Sequence, residues 1–386
     1  MRVGRLVLED FRNYESLAVE FADGLNLVVG RNAQGKTNLL EAVYCLSGLG
    51  SPRSPDSTLI RNGTECALLH ADVTRRGRTV EVDIELKPGR GTRALINKTA
   101  IPSNRALGEL SVSVFFGPDE LSLVKGSPDG RRRFLDDLVV KLRPSQEDLR
   151  REWERVLKQR NALLKSLPRR AGVKVLPPTM EVWDESYAKA AADLAAARLR
   201  SLAALLPFAR SRYMEVAGGG SLDLTYTSSW VSEGLAERSI AAPGEIDISE
   251  LREALRARVA EVRTREIERG MSLAGPGRDD VTVRLADASG TSLEARTYAS
   301  QGDQRTAALA LKLGEHDLLS EVLDDKPILL LDDVFSELDP RRREWLREAV
   351  RGAGQTLLSS ADTDAWEGLG AERVFSVEQG KVTTVE

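Results

Sequence analysis

The chain has 386 residues, 41% hydrophobic and 30% charged, enough for two domains or one elaborated domain. A formal net charge of −4 excludes an overall basic field, so any hold on nucleic acid must come from local patches. Early acids at Glu9 and Asp10, no run near the roughly 18 apolar residues of a membrane span, and no zinc or CxxC spacing at Cys45 and Cys66 predict a protein of the reducing cytoplasm without signal peptide or bilayer segment.

Residues 1–30 alternate as strands do, through Leu6 and Leu8, then Leu17, Val19 and Phe21, with Arg12-Asn13-Tyr14 interrupting and a turn at Asp23-Gly24. The short apolar strand Leu25, Leu27, Val28, Val29 runs into Gly30-Arg31-Asn32-Ala33-Gln34-Gly35-Lys36-Thr37 and then a helix carrying Leu39, Leu40, Val43 and Leu46. The loop matches G-x-x-x-x-G-K-S/T, the strand–loop–helix cradle for phosphates. Its glycines let the backbone curl so that N–H groups face inward, and the helix start adds donors and partial positive charge. Lys36 is expected to reach the β- and γ-phosphates of ATP and the Thr37 hydroxyl to hold Mg²⁺. Cys45 on that helix reads as a small core residue.

Gly48 to Pro55 is too rich in breakers for regular structure. Strand-like segments follow at 67–73, 79–86 and 93–97, predicting an antiparallel sheet beside the nucleotide core. Ser111–Phe116 is a buried strand followed by Gly117-Pro118-Asp119-Glu120. From about residue 126 the pattern predicts a long helical region to about 270, with helices over 145–167, 181–216 and 249–269, divided by prolines 168, 177, 178 and 243 and by Gly218-Gly219-Gly220. A helix of ~22 residues spans about 33 Å, which predicts a compact arm rather than a long coiled coil. The arm's arginines, Arg131, Arg132 and Arg133 and others including Arg150, Arg151, Arg155, Arg169, Arg170, Arg256, Arg258, Arg263, Arg265 and Arg269, alternate with acids. They fit either a solvated helix surface of i,i+4 pairs or clusters tracking a phosphate backbone.

Sheet-like sequence resumes at 281–298 and leads to Ser300-Gln301-Gly302, which opens an alanine- and leucine-rich helix, again a ready anion site. About 30 residues on, four aliphatics ending in Asp332-Asp333 predict a strand buried on both faces with acids at its carboxyl end. Asp332 is expected to help fix Mg²⁺, and Asp333 to polarise the attacking water.

This order of parts, closed by Ser336-Glu337-Leu338-Asp339, resembles an ABC-class ATPase head, and within that class the RecF family. The likeness extends to Asp10–Tyr14, Gly126-Ser127-Pro128 before Arg131–Phe134, Gly275-Pro276 with Arg278-Asp279-Asp280, and Ser300–Thr306. It implies an α/β fold: an ABC-type P-loop head of a mixed sheet plus an antiparallel sheet, in halves 1–126 and 273–386, with an α-helical arm inserted at 127–272. It further implies a slow cytoplasmic ATPase that binds single-stranded, gapped or junction DNA, works with RecO and RecR proteins to load recombinase, and supports repair and the SOS response. Two copies would meet head to tail on ATP, with Ser300, Gln301 and Gly302 of one capping the γ-phosphate held by residues 30–37 of the other, Asp339 supporting the contact and Arg12 touching nucleotide. Arg131, Arg132 and Arg133 are the expected DNA contacts. Asp333 in place of the class's glutamate, and the lack of a switch histidine in Leu357–Ser360, predict slow turnover; His70 and His316 are expected to be structural. Gly277 stands where the family has histidine, and Asp303 where glutamine is commoner. The alternatives are an ABC transporter cassette, an SMC-like structural ATPase, and a nucleotide-gated scaffold with negligible catalysis.

Overall fold

The computed structural model describes residues 1–89, 91–167, 177–217, 219–286, 290–361 and 370–385. Its tertiary contacts divide the chain into two units, Met1–Leu121 with Leu309–Glu386, and Ser122–Ala308.

The first unit opens with β1 (Arg2–Phe11), β2 (Tyr14–Glu20), β3 (Leu25–Val29) and helix α1 (Lys36–Cys45), then β4 (Ala67–Arg75), β5 (Arg78–Lys87), β6 (Gly91–Ile96), β7 (Thr99–Ala100), α2 (Arg105–Leu110) and β8 (Ser113–Phe116). β1 buries Val3, Leu6, Leu8 and Phe11, and the odd step from Val3 to Leu6 is a register shift against β4. Tight turns join the next strands: Arg76-Gly77 (φ +48° and +74°) and Asn97-Lys98 (φ +47° and +65°) take the left-handed pair that matches hairpin twist.

The second unit holds α3 (Ser122–Lys125), α4 (Pro128–Leu142), α5 (Glu147–Ser166), α6 (Pro178–Ala217), β9 (Ser221–Thr227), α7 (Glu233–Ala241), α8 (Ile248–Arg269), β10 (Asp280–Ala286), β11 (Ser292–Glu294) and α9 (Ala295–Tyr298). Helix α10 (Gln301–Leu323) leads back to the first unit, completed by β12 (Ile328–Asp332), α11 (Pro340–Arg351), β13 (Thr356–Ser360), β14 (Arg373–Glu378) and β15 (Lys381–Thr384).

Within the first unit an antiparallel sheet in the order β2-β1-β4-β5-β6-β7 shares one core with a mixed sheet in the order β15-β14-β3-β13-β12-β8. Leu6, Leu8 and Phe11 from one sheet meet Leu39, Leu40 and Val43 of α1 and Phe115, Leu330, Leu357 and Phe375 of the other. In the mixed sheet β14, β3, β13, β12 and β8 run parallel, and β15 alone is antiparallel. All five parallel strands therefore end on one edge, where ligands bind in open α/β sheets. β13 lies between β3 and β12, which sets the phosphate loop and Asp332 one strand apart. The mixed and antiparallel sheets are those expected for the head.

The second unit is mainly helical, as expected of the arm, and also carries a three-stranded sheet in the order β11-β10-β9. Ser221–Thr227 is a strand that pairs with β10 and buries Leu222, Leu224 and Tyr226. That pairing draws Leu273–Ala308, assigned from sequence to the head, into this unit. The 281–298 stretch ends as helix α9, not strand. α6 runs 40 residues through Pro207, about 60 Å at 1.5 Å per residue; its bounds lie close to the expected 181–216, and only the compact-arm estimate from a ~22-residue helix is exceeded. Its alanines, Ala188 and Ala190–Ala192 among them, are buried, and so small a side chain lets neighbouring elements approach closely. Of the residues singled out in the sequence, Pro168, Arg169, Arg170 and Gly218 lie outside the described residues.

Polar knots tie this unit together. Arg198 reaches Asp136 at 2.7 and 2.8 Å and the Pro276 carbonyl at 2.7 Å. Arg160 reaches Asp184, Glu266 and the Ser272 hydroxyl. Asp279 accepts from the Tyr226 and Ser228 hydroxyls and the Trp230 indole, and burial pushes its carboxyl up to about 6. Next to it, Gly277 is fixed by packing: a Cβ there would lie 2.7 Å from Cη2 of the buried Trp153. We expect Gly277→His to destabilise the unit by about 1–3 kcal/mol through overpacking. A lowered urea midpoint for this variant, relieved when Trp153→Leu is added, is the result that checks it.

Candidate functional site

The phosphate loop is built by pairing the carbonyls that its curl turns outward. Lys36 Nζ donates to the Gly30 carbonyl at 2.7 Å and the Arg31 carbonyl at 3.0 Å. The Gln34 carbonyl accepts from Asn13 Nδ2 at 2.9 Å and the Gly380 N–H at 3.2 Å, and the Gly35 carbonyl accepts from the Tyr14 hydroxyl at 2.9 Å. The loop borders a cavity of about 420 Å³, and a curled, glycine-bounded loop of this kind can offer peptide N–H groups to an anion. Glycine is needed at both ends: Gly30 (φ +155°) would put a Cβ 2.3 Å from the Val377 carbonyl oxygen, and Gly35 (φ +121°) would put one 2.6 Å from Asn13 Nδ2.

The Thr37 hydroxyl lies 2.9 and 2.7 Å from the two Asp332 carboxylate oxygens, so the first helical turn of α1 meets the tip of β12. Ser359, on the strand between them, donates to the same carboxylate at 2.6 Å. Ser359, in the stretch that lacks a switch histidine, therefore orients the aspartate. Asp333 is held at φ +50°, a left-handed conformation strained for a non-glycine residue. Its N–H faces Ser359, and its Oδ1 is buried with no hydrogen-bond partner among the described residues. Burial pulls the Lys36 ammonium below its ordinary value, with Asp333 and Asp332 opposing.

Asn32, Ala33, Gly35, Lys36 and Thr37 line the cavity with Asp332 and Asp333, so the structure brings the central phosphate-loop residues and the two aspartates together, but not Gly30, Arg31 or Gln34. It adds Asn38, Arg53, Phe115, Gly117, Pro118 and Asp119. Asp119 was legible in principle, because it follows the carboxyl end of a parallel strand; nothing in the sequence marked Arg53. Arg53 stands 3.7 Å from Asp119. Arg12 is not among the lining residues: its guanidinium takes Glu41 at 2.8 and 2.7 Å, the Ser54 hydroxyl at 2.6 Å and the Thr58 carbonyl at 2.9 Å. Ser51 donates to the same buried Glu41, so this network fixes the segment that presents Arg53.

Ser300, Gln301 and Gly302 belong to the second unit and do not line the cavity. The exposed Ser300 hydroxyl accepts from the Asp303 N–H at 3.2 Å and donates to its carboxylate at 2.7 Å, ordering the start of α10. Asp339 caps α11 through the Arg342 N–H at 3.0 Å, which holds its carboxyl below the usual range. Arg131, expected to contact DNA, is 5% exposed and grips Asp280 at 2.7 and 2.8 Å and the Gly126 carbonyl at 2.9 Å, so its guanidinium is committed inside the unit. Arg132 is drawn to the Asp279 carbonyl and Asp129, whereas Arg133 keeps 45% of its side chain exposed. Several other arm arginines make the short-range pairs of a solvated helix, such as Arg150–Glu154 and Arg155–Glu152. His70 bonds Asp83 and His316 the Pro327 carbonyl, as structural histidines do.

The donor set fits Mg²⁺. A threonine hydroxyl and a carboxylate are hard oxygen ligands, and the described residues hold no cluster of three or more His, Cys, Asp or Glu that would bind a metal alone. A small cation that takes its remaining ligands from phosphate and water suits such a site.

The family described as RecF/RecN/SMC N terminal domain matches residues 2–384. A Streptomyces avermitilis protein named DNA replication and repair protein RecF is 42% identical over 391 aligned residues, covering 100% of both chains. A protein of the same name from Acidothermus cellulolyticus is 41% identical over 363 residues, 94% of each chain. A solved structure of the recombination mediator protein RecF with ATP, in the RecFOR pathway, superposes with a TM-score of 0.86 at 27% identity, covering 100% of this chain and 97% of that one. An SMC head bound to the C-terminal winged-helix domain of ScpA gives 0.55 at 14% identity, covering 100% and 98%, a likeness of fold alone.

Proposed function

Because the chain belongs to the RecF family, a family of ATP-binding repair proteins, we propose that it is an ATP-driven DNA clamp: two copies close on DNA at gaps or single-strand/double-strand junctions and slow hydrolysis releases them. The observation that carries the reading is the direct contact of Thr37 with Asp332 beside a loop whose outward carbonyls are paired.

The residues divide the work as follows. Loop N–H groups and Lys36 bind the β- and γ-phosphates, and Arg53 adds a cation on the facing wall. Mg²⁺, when bound, neutralises phosphate charge; Thr37 and Asp332 would hold it. Asp333 orients water against the γ-phosphorus, and its one buried oxygen without a hydrogen-bond partner is the acceptor for that water. A carboxylate one methylene shorter than glutamate reaches less far, which favours slow turnover. In the dimer Ser300, Gln301 and Gly302 of one copy cap the γ-phosphate of the other, with Asp339 next to the seam. Those contacts exist only with two copies and a triphosphate, so ATP drives closure and ADP does not. The largely helical second unit supplies DNA contacts, and RecO and RecR proteins are the partners in loading recombinase in the cytoplasm.

Asp333→Asn separates this reading from a scaffold with negligible catalysis. We expect DNA-stimulated ATP turnover to fall about 100-fold or more, the scale of a lost general base, while ATP-dependent retention of gapped DNA persists or lengthens. A wild-type protein with no turnover above background, or a variant equal to it, refutes the catalytic assignment.

A further inference from the structure

The phosphate loop is held from outside by a part of the fold distant in sequence. β14 and β15 are joined by the two-residue turn Gln379-Gly380, both in the left-handed region at φ +47° and +75°. This turn gives two successive backbone N–H groups to one loop residue: Gln379 N–H to Gln34 Oε1 at 2.6 Å, and Gly380 N–H to the Gln34 carbonyl at 3.2 Å. The exposed Asn13, in the turn between β1 and β2, donates to the same carbonyl at 2.9 Å and is itself fixed by Asn38 Nδ2 at 2.8 Å. The parts fit without slack. A Cβ on Gly380 would lie 2.7 Å from the Asn13 carbonyl oxygen.

A peptide plane has one orientation, so holding the Gln34 carbonyl outward holds the N–H of Gly35 on the opposite side. We propose that Gln379, Gly380 and Asn13 are positioning residues for the phosphates. They keep the Gln34–Gly35 peptide in its binding orientation before nucleotide arrives, so that the C-terminal hairpin, which touches no phosphate, sets affinity for ATP. The inference rests on the nucleotide reading of the cavity. Its physical basis is preorganisation: a loop already ordered loses less freedom on binding.

Full-length Gly380→Ala and Asn13→Ala are compared with wild type for Mg-ATP affinity and for hydrogen exchange of amides 33–37 without nucleotide. Gly77→Ala is the control, because Gly77 has a similar left-handed φ of +74° in a hairpin turn but nothing within 4 Å of its Cβ position. We expect both test variants to bind ATP about tenfold more weakly, ~1.4 kcal/mol, and to exchange those amides faster, while Gly77→Ala matches wild type in both. The double variant should lose less than the product of the two, since both act on one carbonyl. Should Gly380→Ala fail to fold, Asn13→Ala, which alters only an exposed amide, decides the matter alone. ATP bound equally by wild type and the folded variants overturns the positioning role. A wild type that binds no ATP overturns the nucleotide reading itself.

Discussion

Replacing Lys36 by alanine is expected to weaken ATP binding by about 100-fold or more and to abolish nucleotide-dependent retention of gapped DNA. The magnitude follows from counting. A charged donor to phosphate contributes ~1.5–3 kcal/mol per bond, tenfold for each ~1.4 kcal/mol, and Lys36 is placed to make more than one. Lys36 is buried, and its ammonium spans the Gly30 and Arg31 carbonyls. Burial lowers its readiness to stay charged, and Asp332 and Asp333 only partly offset that. Phosphate oxygens relieve this cost, so the lysine gains more from ligand than a solvated one would. Alanine also frees two carbonyls at the loop entrance, and the apo protein should unfold at lower temperature. A drop in melting temperature with nucleotide affinity intact would mean that Lys36 serves the fold alone; unchanged ATP-dependent DNA retention would remove the phosphate role.

What could be read from the sequence was local. Gly30, Gly35, Lys36 and Thr37 lie within one turn of chain, and the apolar run before Asp332 announces a buried strand without any partner. Strand order then does the rest, placing the two motifs around β13. What stayed hidden depends on distance. The pairing of Arg131 with Asp280 spans 149 residues, so an arginine run looked like a surface when one of its members was an internal tie. Arg12 is committed in the same way to Glu41 and to the segment bearing Arg53. Ser359 was noticed only as part of a stretch without histidine, because its bond to Asp332 requires knowing that β13 is next to β12. The strand at Ser221–Thr227 is a different failure. Its alternation of Leu222, Leu224 and Tyr226 was visible, but it stood among long helical patterns and was absorbed into them. Gly277 was read only as a departure from an expected histidine until the Trp153 ring gave it a packing reason.

Ser300→Arg should leave ATP binding to a single copy unchanged yet prevent the ATP-dependent dimer. The first half follows from the cavity, whose lining residues all belong to the unit that excludes Ser300. The second follows from the proposed role of the α10 start. There the serine hydroxyl and the helix N–H groups would face the γ-phosphate of a second copy, and a guanidinium on a three-carbon stem fills the space that phosphate needs. The added positive charge gives no help, because a side chain placed ahead of the contact separates the surfaces before any attraction acts. Each copy carries −4, so net charge gives the encounter no assistance and the γ-phosphate contact must supply the selectivity. The serine also caps its own helix through the Asp303 N–H, a cap whose loss costs about 0.5–2 kcal/mol. Ser300→Ala controls for that, since it removes the cap without adding bulk and should weaken the dimer rather than erase it. Sedimentation with ATP and with ADP, over a range of protein concentrations, reads both variants. A Ser300→Arg protein that dimerises on ATP as wild type does would show that the serine-glycine turn is not at the seam, and the clamp would need a different face.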